Sequence, residues 1–223
     1  MSAAKHSTVR GRSSWTVRAP RLLFLCAVAA VGTGTAVHLR DAGDPVHLVA
    51  ALLAACYLGW LAVEIPVTFR SSTAPPSESA TLLLYATARI ATASAAVLGP
   101  LPWHDWSWAL LVPALVFVGG VVLRQVAIHT LGRFYSHHVM RQQDHRIVTY
   151  GLYRFIRHPA YAGMLLAHVG FVAYFLNPLS VLLLVLLAAA ITFRIRTEEQ
   201  MLMDIPGYPS YAADHARLVP GVW

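Results

Sequence analysis

Six runs of apolar residues limit the folds open to this chain more than any other feature of its sequence. The first four approach the ~20 residues that a helix needs to cross the ~30 Å hydrocarbon layer of a bilayer, and the last two are shorter. The sequence therefore predicts an all-α, polytopic transmembrane helical bundle of about six spans. The runs cover approximately residues 21–39, 46–69, 80–98, 106–128, 159–176 and 179–193.

The composition of the chain agrees with a membrane protein. Of its 223 residues, 57% are hydrophobic and only 12% are charged, which is too apolar for an ordinary soluble domain. The formal net charge of +7 does not point to nucleic acid, because the basic residues lie between apolar runs and form no single patch with interleaved aromatics. Cys26 and Cys56 both lie within apolar runs, where a disulfide or a thiolate metal site is poorly placed.

The distribution of basic residues predicts how the spans are oriented, because cytosolic loops are enriched in Lys and Arg. An amino terminus in the cytosol puts five basic residues at or before residue 21 on that side, together with Arg70, five in residues 129–158 and three after residue 193. Only Arg40 then lies in a loop on the opposite side. We therefore expect both termini in the cytosol, and we expect the polar segments around the last two runs to meet there.

The chain divides into three regions. Residues 1–20 are polar and contain too little apolar surface to fold alone, which predicts a disordered cytosolic arm. Residues 21–128 form a predicted four-span region, and residues 129–223 hold two more spans and a polar tail. Only Asn177 and Pro178 separate the last two runs, as is typical of a helical hairpin. The first run fits a retained span or a secretory signal, and the absence of a clear cleavage site favours the span.

Five short motifs follow one another in the carboxyl-terminal part of the chain. They are "LGRFYSHHV", "HRIVTYGLYRFIRHPAYAGMLL", "LNP", "RIRTEE" and "GYPSYAADHARLVP", and together they extend over about residues 129–220. This ordered set resembles the carboxyl-terminal half of the isoprenylcysteine carboxyl methyltransferase family. Its members are integral membrane enzymes that use S-adenosylmethionine and are related more distantly to phospholipid N-methyltransferases. The first four runs contain no motif of this kind.

The resemblance implies a methyltransferase region over residues 129–223, with a cytosolic cofactor pocket formed around the hairpin. By position, Arg194 resembles the arginine that faces the methyl acceptor, and it is the implied catalytic residue. The acceptor would be a small or lipidated molecule from the bilayer, with its carboxylate converted to a methyl ester. The residues implied to bind S-adenosylmethionine are His145, Arg146, Ile147, Val148, Tyr153, His158, Pro159, Ala160, Tyr161, Glu198 and Glu199.

The residue types suit this chemistry in their own right. S-adenosylmethionine presents an ammonium group, a ribose diol, an adenine and a sulfonium, which match carboxylates, hydrogen-bond donors and aromatic faces. A carboxylate acceptor is already a nucleophile, so methyl transfer to it needs alignment and exclusion of water rather than a general base. An arginine can hold such a carboxylate through two hydrogen bonds. We expect the tail beyond residue 193 to act as a lid.

Other interpretations of the same residues remain open. Arg194 and Glu198 are four residues apart and could form a simple ion pair on a helix surface. Arg157 and His158 could anchor a span that begins at Pro159, a good first helical position. The functional alternatives are a phospholipid N-methyltransferase, an NADPH-dependent sterol-type reductase with a similar Arg-His-Pro stretch, and a non-catalytic membrane protein.

Ionisable residues within the apolar runs also require an explanation. Glu64 and Arg89 are costly in hydrocarbon, so we expect them to face the protein interior, where they either pair or line a path for the acceptor. The side chains of Arg124 and Gln125 either reach the implied active site or extend to the membrane–water interface. We expect no metal site, because the spacing of the histidines matches no standard zinc pattern and no cysteine thiolate lies among them. Those histidines are His129, His137, His138 and His145.

Overall fold

The structure is a computed structural model that describes residues 14–69, 76–132, 147–221 and 223. Within these ranges the regular structure is helical, and the one bridge between extended residues joins Ile156 and Ala216. This confirms the predicted all-α class. The α-helices are α1 (Ser14–Arg40), α2 (Pro45–Val63), α3 (Ile65–Thr68), α4 (Pro76–Leu98), α5 (Leu111–Leu131), α6 (Pro159–Phe175), α7 (Pro178–Leu202) and α8 (Tyr208–Asp214). Short 3₁₀ helices occupy Trp108–Leu110 and Gly151–Arg154.

Each of the six apolar runs is helical, and the second is divided between α2 and α3. Five helices in the described part of the chain are long and apolar enough to cross a membrane, and the sixth, α6, has 17 residues and is also apolar. The protein is therefore an integral membrane protein with a polytopic helical bundle. The five longer spans are Ala19–Arg40, Pro45–Val63, Ala80–Leu98, Trp108–Leu131 and Pro178–Leu202.

The largest differences between the helices and the apolar runs occur at three places. The second run is divided at Glu64, because Pro66 has no N–H to continue the hydrogen bonding of α2. Helix α7 continues to Leu202 and thus carries the polar residues after the last run. Helix α1 begins at Ser14, within the segment 1–20 that the sequence assigns to a disordered arm. Residues 1–13 of that arm lie outside the described ranges.

A two-residue turn connects α6 and α7, as predicted, but it consists of Leu176 and Asn177 because Pro178 already belongs to α7. The side chain of Asn177 accepts a hydrogen bond from the Ser180 N–H at 2.9 Å, and Pro178 occupies the first turn of α7. The Asn177 amide also donates to the Ala95 carbonyl at 3.0 Å, which attaches the turn to α4. Beyond the turn, α6 packs chiefly against α5, and α7 packs chiefly against α4.

Glycines allow α5 and α6 to approach closely. A Cβ atom on Gly163 would lie 2.5 Å from the Arg124 amide nitrogen, and one on Gly120 or Gly170 would collide with the backbone of the facing helix. Small residues at such contacts let membrane helices pack backbone to backbone. The contact brings the Arg124 side chain to the start of α6, where its Nη1 donates to the Ala160 carbonyl at 3.1 Å.

Candidate active site

Polar side chains from the start of α6 and the end of α7 meet at the end of the bundle opposite Asn177, which we call the site end. The Tyr161 hydroxyl donates to Glu198 Oε2 at 3.0 Å. His158 Nε2 lies 3.0 Å from Glu199 Oε1. The polar segments that flank the hairpin therefore lie together, as the sequence predicts.

Glu199 connects three segments of the site end. Its buried carboxylate accepts hydrogen bonds from Arg157 Nη1 and Arg217 Nε, both at 2.8 Å, in addition to the contact with His158. Arg157 and His158 precede α6, Glu199 lies on α7 and Arg217 belongs to the tail. A buried carboxylate is stable when such partners compensate its charge, so Glu199 fixes these segments relative to one another.

Arg194 lies on α7, one turn before Glu198, and only 1% of its surface is exposed. Its Nη1 donates to the Thr81 hydroxyl at 2.7 Å, and its Nε donates to the Tyr161 hydroxyl at 3.4 Å. Tyr161 thus lies between Arg194 and Glu198, because the same hydroxyl that accepts from the guanidinium donates to the carboxylate. The three residues implied to face the two substrates form one hydrogen-bonded group.

Helix α4 contributes two residues that sequence reasoning did not single out. Thr81 contacts Arg194, and the ring of Tyr85 packs edge-on against Tyr161 with the ring centroids 6.0 Å apart. A signal for them does exist in the sequence, because Thr81, Tyr85 and Arg89 recur at every fourth position and share one helix face.

The segment before α6 supplies the remaining predicted residues. Tyr153 lies in the 3₁₀ helix, is buried, and packs with Ala127 and Ala160; Val148 contacts the same small cluster. Pro159 begins α6. Ile147 reaches the tail, because a Cβ atom added to Gly207 would lie 3.4 Å from its Cδ1. Two further predicted residues, His145 and Arg146, lie outside the described ranges.

The tail is held against this segment by backbone hydrogen bonds. The Arg157 N–H donates to the Ala216 carbonyl at 2.8 Å, and the His158 N–H donates to the Arg217 carbonyl at 3.0 Å. The parallel bridge between Ile156 and Ala216 belongs to the same contact. The tail therefore lies directly beside the residues that lead into α6.

Helix α8 adds a side-chain contact between the tail and the site end. It begins after Gly207, whose φ of +87° is in the left-handed region that favours glycine. The Tyr211 hydroxyl donates to the Tyr153 carbonyl at 2.5 Å. Burial raises the pKa of Tyr211 to about 12, so the hydroxyl keeps its proton and remains a donor near neutral pH.

A buried ionic cluster lies next to the site end, within the bundle. The Glu64 carboxylate accepts from Arg89 Nη1 at 2.8 Å, Arg124 Nε at 2.5 Å and the Trp60 indole N–H at 2.6 Å. Glu64 and Arg89 therefore face the interior and pair, as one of the sequence interpretations expects. Arg124 is fully buried and forms an ion pair with the same carboxylate, so its side chain does not extend to the membrane–water interface.

The cluster also positions the start of α6. Glu64 ends α2, Arg89 lies on α4 and Arg124 lies on α5, so the ion pairs connect three helices. Through its bond to the Ala160 carbonyl, Arg124 connects these helices to the turn of α6 that carries Tyr161.

Of the histidines that raise the question of a metal, the structure describes His129. His129 Nδ1 lies 2.7 Å from the Gln125 carbonyl, one turn earlier on α5. His137, His138 and His145 lie outside the described ranges. Among the described residues, no group of three or more His, Cys, Asp or Glu side chains could hold a metal ion.

Comparison with known proteins supports the resemblance drawn from the motifs. The sequence model of the isoprenylcysteine carboxyl methyltransferase (ICMT) family matches residues 111–204. The chain is 34% identical over 120 residues to protein-S-isoprenylcysteine O-methyltransferase A of Arabidopsis thaliana, covering 52% of this chain and 61% of that protein. It is 36% identical over 93 residues to the Saccharomyces cerevisiae protein-S-isoprenylcysteine O-methyltransferase, covering 40% of this chain and 39% of that protein.

The matches cover only part of this chain and part of each relative. The rat protein-S-isoprenylcysteine O-methyltransferase is 30% identical over 116 residues, or 51% of this chain and 40% of the rat protein. The chain thus spans less than two thirds of the length of the curated relatives that it matches. The family match covers α5, α6 and α7 and ends at residue 204, so it contains Tyr161, Arg194 and Glu198.

Proposed function

We propose that this chain, which carries the ICMT family pattern over residues 111–204, is an integral membrane methyltransferase. It transfers a methyl group from S-adenosylmethionine to a carboxylate of a lipid-like or prenylcysteine-type acceptor and produces a methyl ester. The observation that carries this proposal is the hydrogen-bonded group of Arg194, Tyr161 and Glu198. It places a guanidinium suited to a carboxylate one helical turn from a carboxylate suited to the methyl donor.

The donor set at the site end fits S-adenosylmethionine. Glu198 offers an acceptor for the ammonium group or the ribose hydroxyls, and Tyr153 and Tyr161 offer aromatic faces. In the described part of the chain, the buried Arg157 Nε and Tyr208 hydroxyl have no hydrogen-bond partner. Burial raises the pKa of Tyr208, so its hydroxyl stays protonated and can donate to a ligand. Glu199 is engaged by three cationic or imidazole groups, and we assign it a positioning role.

In this scheme the residues of this chain bind and orient the two substrates. S-adenosylmethionine supplies a methyl group on a positively charged sulfur. Arg194 holds the acceptor carboxylate through its N–H groups and fixes the direction from which the carboxylate oxygen attacks. No proton has to be removed, because the acceptor is ionised before it reacts. Burial of Arg194 strengthens this electrostatic contact and excludes water.

The two substrates reach the site by different routes in this proposal. With both termini in the cytosol, the site end faces the aqueous side that the basic loops indicate. The water-soluble methyl donor then arrives from that side beneath the tail. The acceptor arrives from the bilayer, where burial of its chain contributes roughly 0.8 kcal/mol per CH₂ group.

The direct test is methyl transfer by purified protein in detergent. We expect label from methyl-tritiated S-adenosylmethionine to appear in a base-labile ester of an N-acyl-S-prenylcysteine. Phosphatidylethanolamine vesicles serve as the amine-acceptor control, and any label there would be base-stable. Absence of S-adenosylmethionine binding by calorimetry, or label only in the amine lipid, would refute the proposal.

Removal of the tail tests its role as a lid. Truncation after Pro206 deletes the Arg217 contact to Glu199 and the Tyr211 contact to Tyr153. We expect methyl ester formation to fall below detection while the truncated chain still inserts into membranes, because the deleted segment lies outside the spans. Tyr211→Phe is the milder control, since it removes one of these contacts. Full turnover after truncation would exclude a lid.

A further inference from the structure

Three polar residues form a stripe on one face of α4 that leads from Arg194 into the bundle. Thr81, Tyr85 and Arg89 follow one another at intervals of four residues, so each lies about one helical turn deeper than the last. Thr81 contacts Arg194 and Tyr85 packs against Tyr161. The stripe therefore begins at the proposed active site and ends at the buried ionic cluster.

Tyr85 and Arg89 have hydrogen-bond donors that the described residues leave unused. The Tyr85 hydroxyl and the Nε and Nη2 atoms of Arg89 are buried and have no partner within the described ranges. The two residues are 3% and 8% exposed, respectively. Buried donors without partners are rare in folded proteins, because each has lost its hydrogen bonds to water without replacement.

The ionic cluster cannot take up these donors of Arg89. The two oxygens of Glu64 already accept hydrogen bonds from Trp60, Arg89 Nη1, Arg124 and Gln125. The Arg89 guanidinium carbon also lies 4.3 Å from the centroid of the Trp60 ring, so the ring covers one face of the guanidinium. The Tyr57 hydroxyl also lies near this guanidinium, and it is 3.1 Å from His168 Nε2. Because Arg89 Nε and Nη2 make no hydrogen bond to Glu64 or Tyr57 in the described part of the chain, they are left for another partner.

We propose that Tyr85 and Arg89 form a carboxylate-binding subsite inside the bundle, next to the Arg194 site. Two N–H groups of one guanidinium and a neighbouring hydroxyl match the acceptor oxygens of a carboxylate. The identity of the occupant rests on the proposed function. There Arg194 holds the single carboxylate of the methyl acceptor, so the carboxylate left for this subsite is that of the methionine end of the methyl donor. Arg194 orients the reacting group, and the subsite holds a carboxylate deeper in the bundle.

The subsite is tested by ligand binding to the full chain in detergent. Calorimetry with S-adenosylmethionine and, separately, with an N-acyl-S-prenylcysteine acid is carried out on Tyr85→Phe and Arg89→Lys. Loss of a hydrogen bond to a charged group predicts about tenfold or greater weakening for S-adenosylmethionine and an unchanged affinity for the acceptor acid. Arg89→Lys keeps a positive charge for Glu64 while removing the planar guanidinium.

Two controls separate binding from folding. Tyr85→Phe deletes a hydroxyl without a described partner, so its unfolding temperature should equal or exceed that of the unaltered protein. Tyr174→Phe deletes a buried hydroxyl that donates to the Val46 carbonyl at 2.7 Å, far from the site end, and both affinities should be unchanged.

The outcomes distinguish this inference from the proposed function. Unchanged affinity of Tyr85→Phe for S-adenosylmethionine would overturn the subsite, as would equal weakening for S-adenosylmethionine and decarboxylated S-adenosylmethionine, which lacks the carboxylate. Methyl ester formation by the unaltered protein is measured on the same preparation. Its absence would refute the proposed function, whereas a specific loss of carboxylate binding in the variants would still support the subsite.

Discussion

Arg194→Lys is expected to lower kcat/KM for the acceptor by about 10²- to 10³-fold, the usual effect of removing one oriented donor from a reacting group. Lysine retains the charge but loses the planar set of N–H groups that holds a carboxylate in one orientation. The substitution also removes the contact of Arg194 Nε to Tyr161 and the contact of its Nη1 to Thr81. Affinity for S-adenosylmethionine should stay within about twofold, because Glu198 and Tyr161 remain.

A neighbouring arginine provides the matched control for this prediction. Arg196 lies two residues further along α7 and is exposed, so Arg196→Lys makes the same chemical change on the outer face of the helix. Radiolabelled ester formation measured over a range of acceptor concentrations separates effects on KM from effects on kcat. Equal activity of Arg194→Lys and Arg196→Lys would remove Arg194 from the chemistry.

Glu64→Gln is expected to destabilise the protein by about 3–5 kcal/mol, the cost of breaking a buried ion pair from one side. The substitution preserves the shape of the side chain but leaves Arg89 and Arg124 facing a neutral amide inside the bundle. The carbonyl oxygen of glutamine accepts part of the lost hydrogen bonds but does not compensate either charge. We expect a large fall in the unfolding temperature in detergent and a matching loss of monodisperse protein.

Two comparisons identify buried charge as the cause. Asp105→Asn neutralises an exposed carboxylate in the loop before α5 and should leave the unfolding temperature unchanged. Addition of Arg89→Met to Glu64→Gln should recover part of the stability, because one of the two buried charges is removed with it. An unfolding temperature of Glu64→Gln equal to that of the unaltered protein would show that the cluster contributes little.

Local properties of the sequence predict most of the fold. The length and apolar character of each run determine that it becomes a membrane helix, because hydrocarbon leaves the backbone no other hydrogen-bond partner. The Asn-Pro pair predicts the hairpin turn, since Asn177 caps α7 and Pro178 occupies its first turn. An even number of spans between two polar segments then places His158 and Glu199 at the same end of the bundle.

These local patterns do not predict the contacts between distant segments. The ion pair between Glu199 and Arg217 depends on how the tail folds back, and the bond from Arg194 to Thr81 depends on α7 packing against α4. The burial of Arg124 depends on the glycines that draw α5 and α6 together. Each of these contacts results from packing between segments that are far apart in the chain. The periodicity within one segment does not show which other segment it will contact.

Helices α6 and α7 have different main packing partners, so the proposed site is assembled from two helix pairs. The α5/α6 pair carries Tyr161, and the α4/α7 pair carries Thr81, Arg194 and Glu198. Tyr85 and Arg89 lie on α4, outside the region that matches the ICMT family. Substitutions at Tyr85 and Arg89 can therefore change the proposed subsite without altering Tyr161, Arg194 or Glu198.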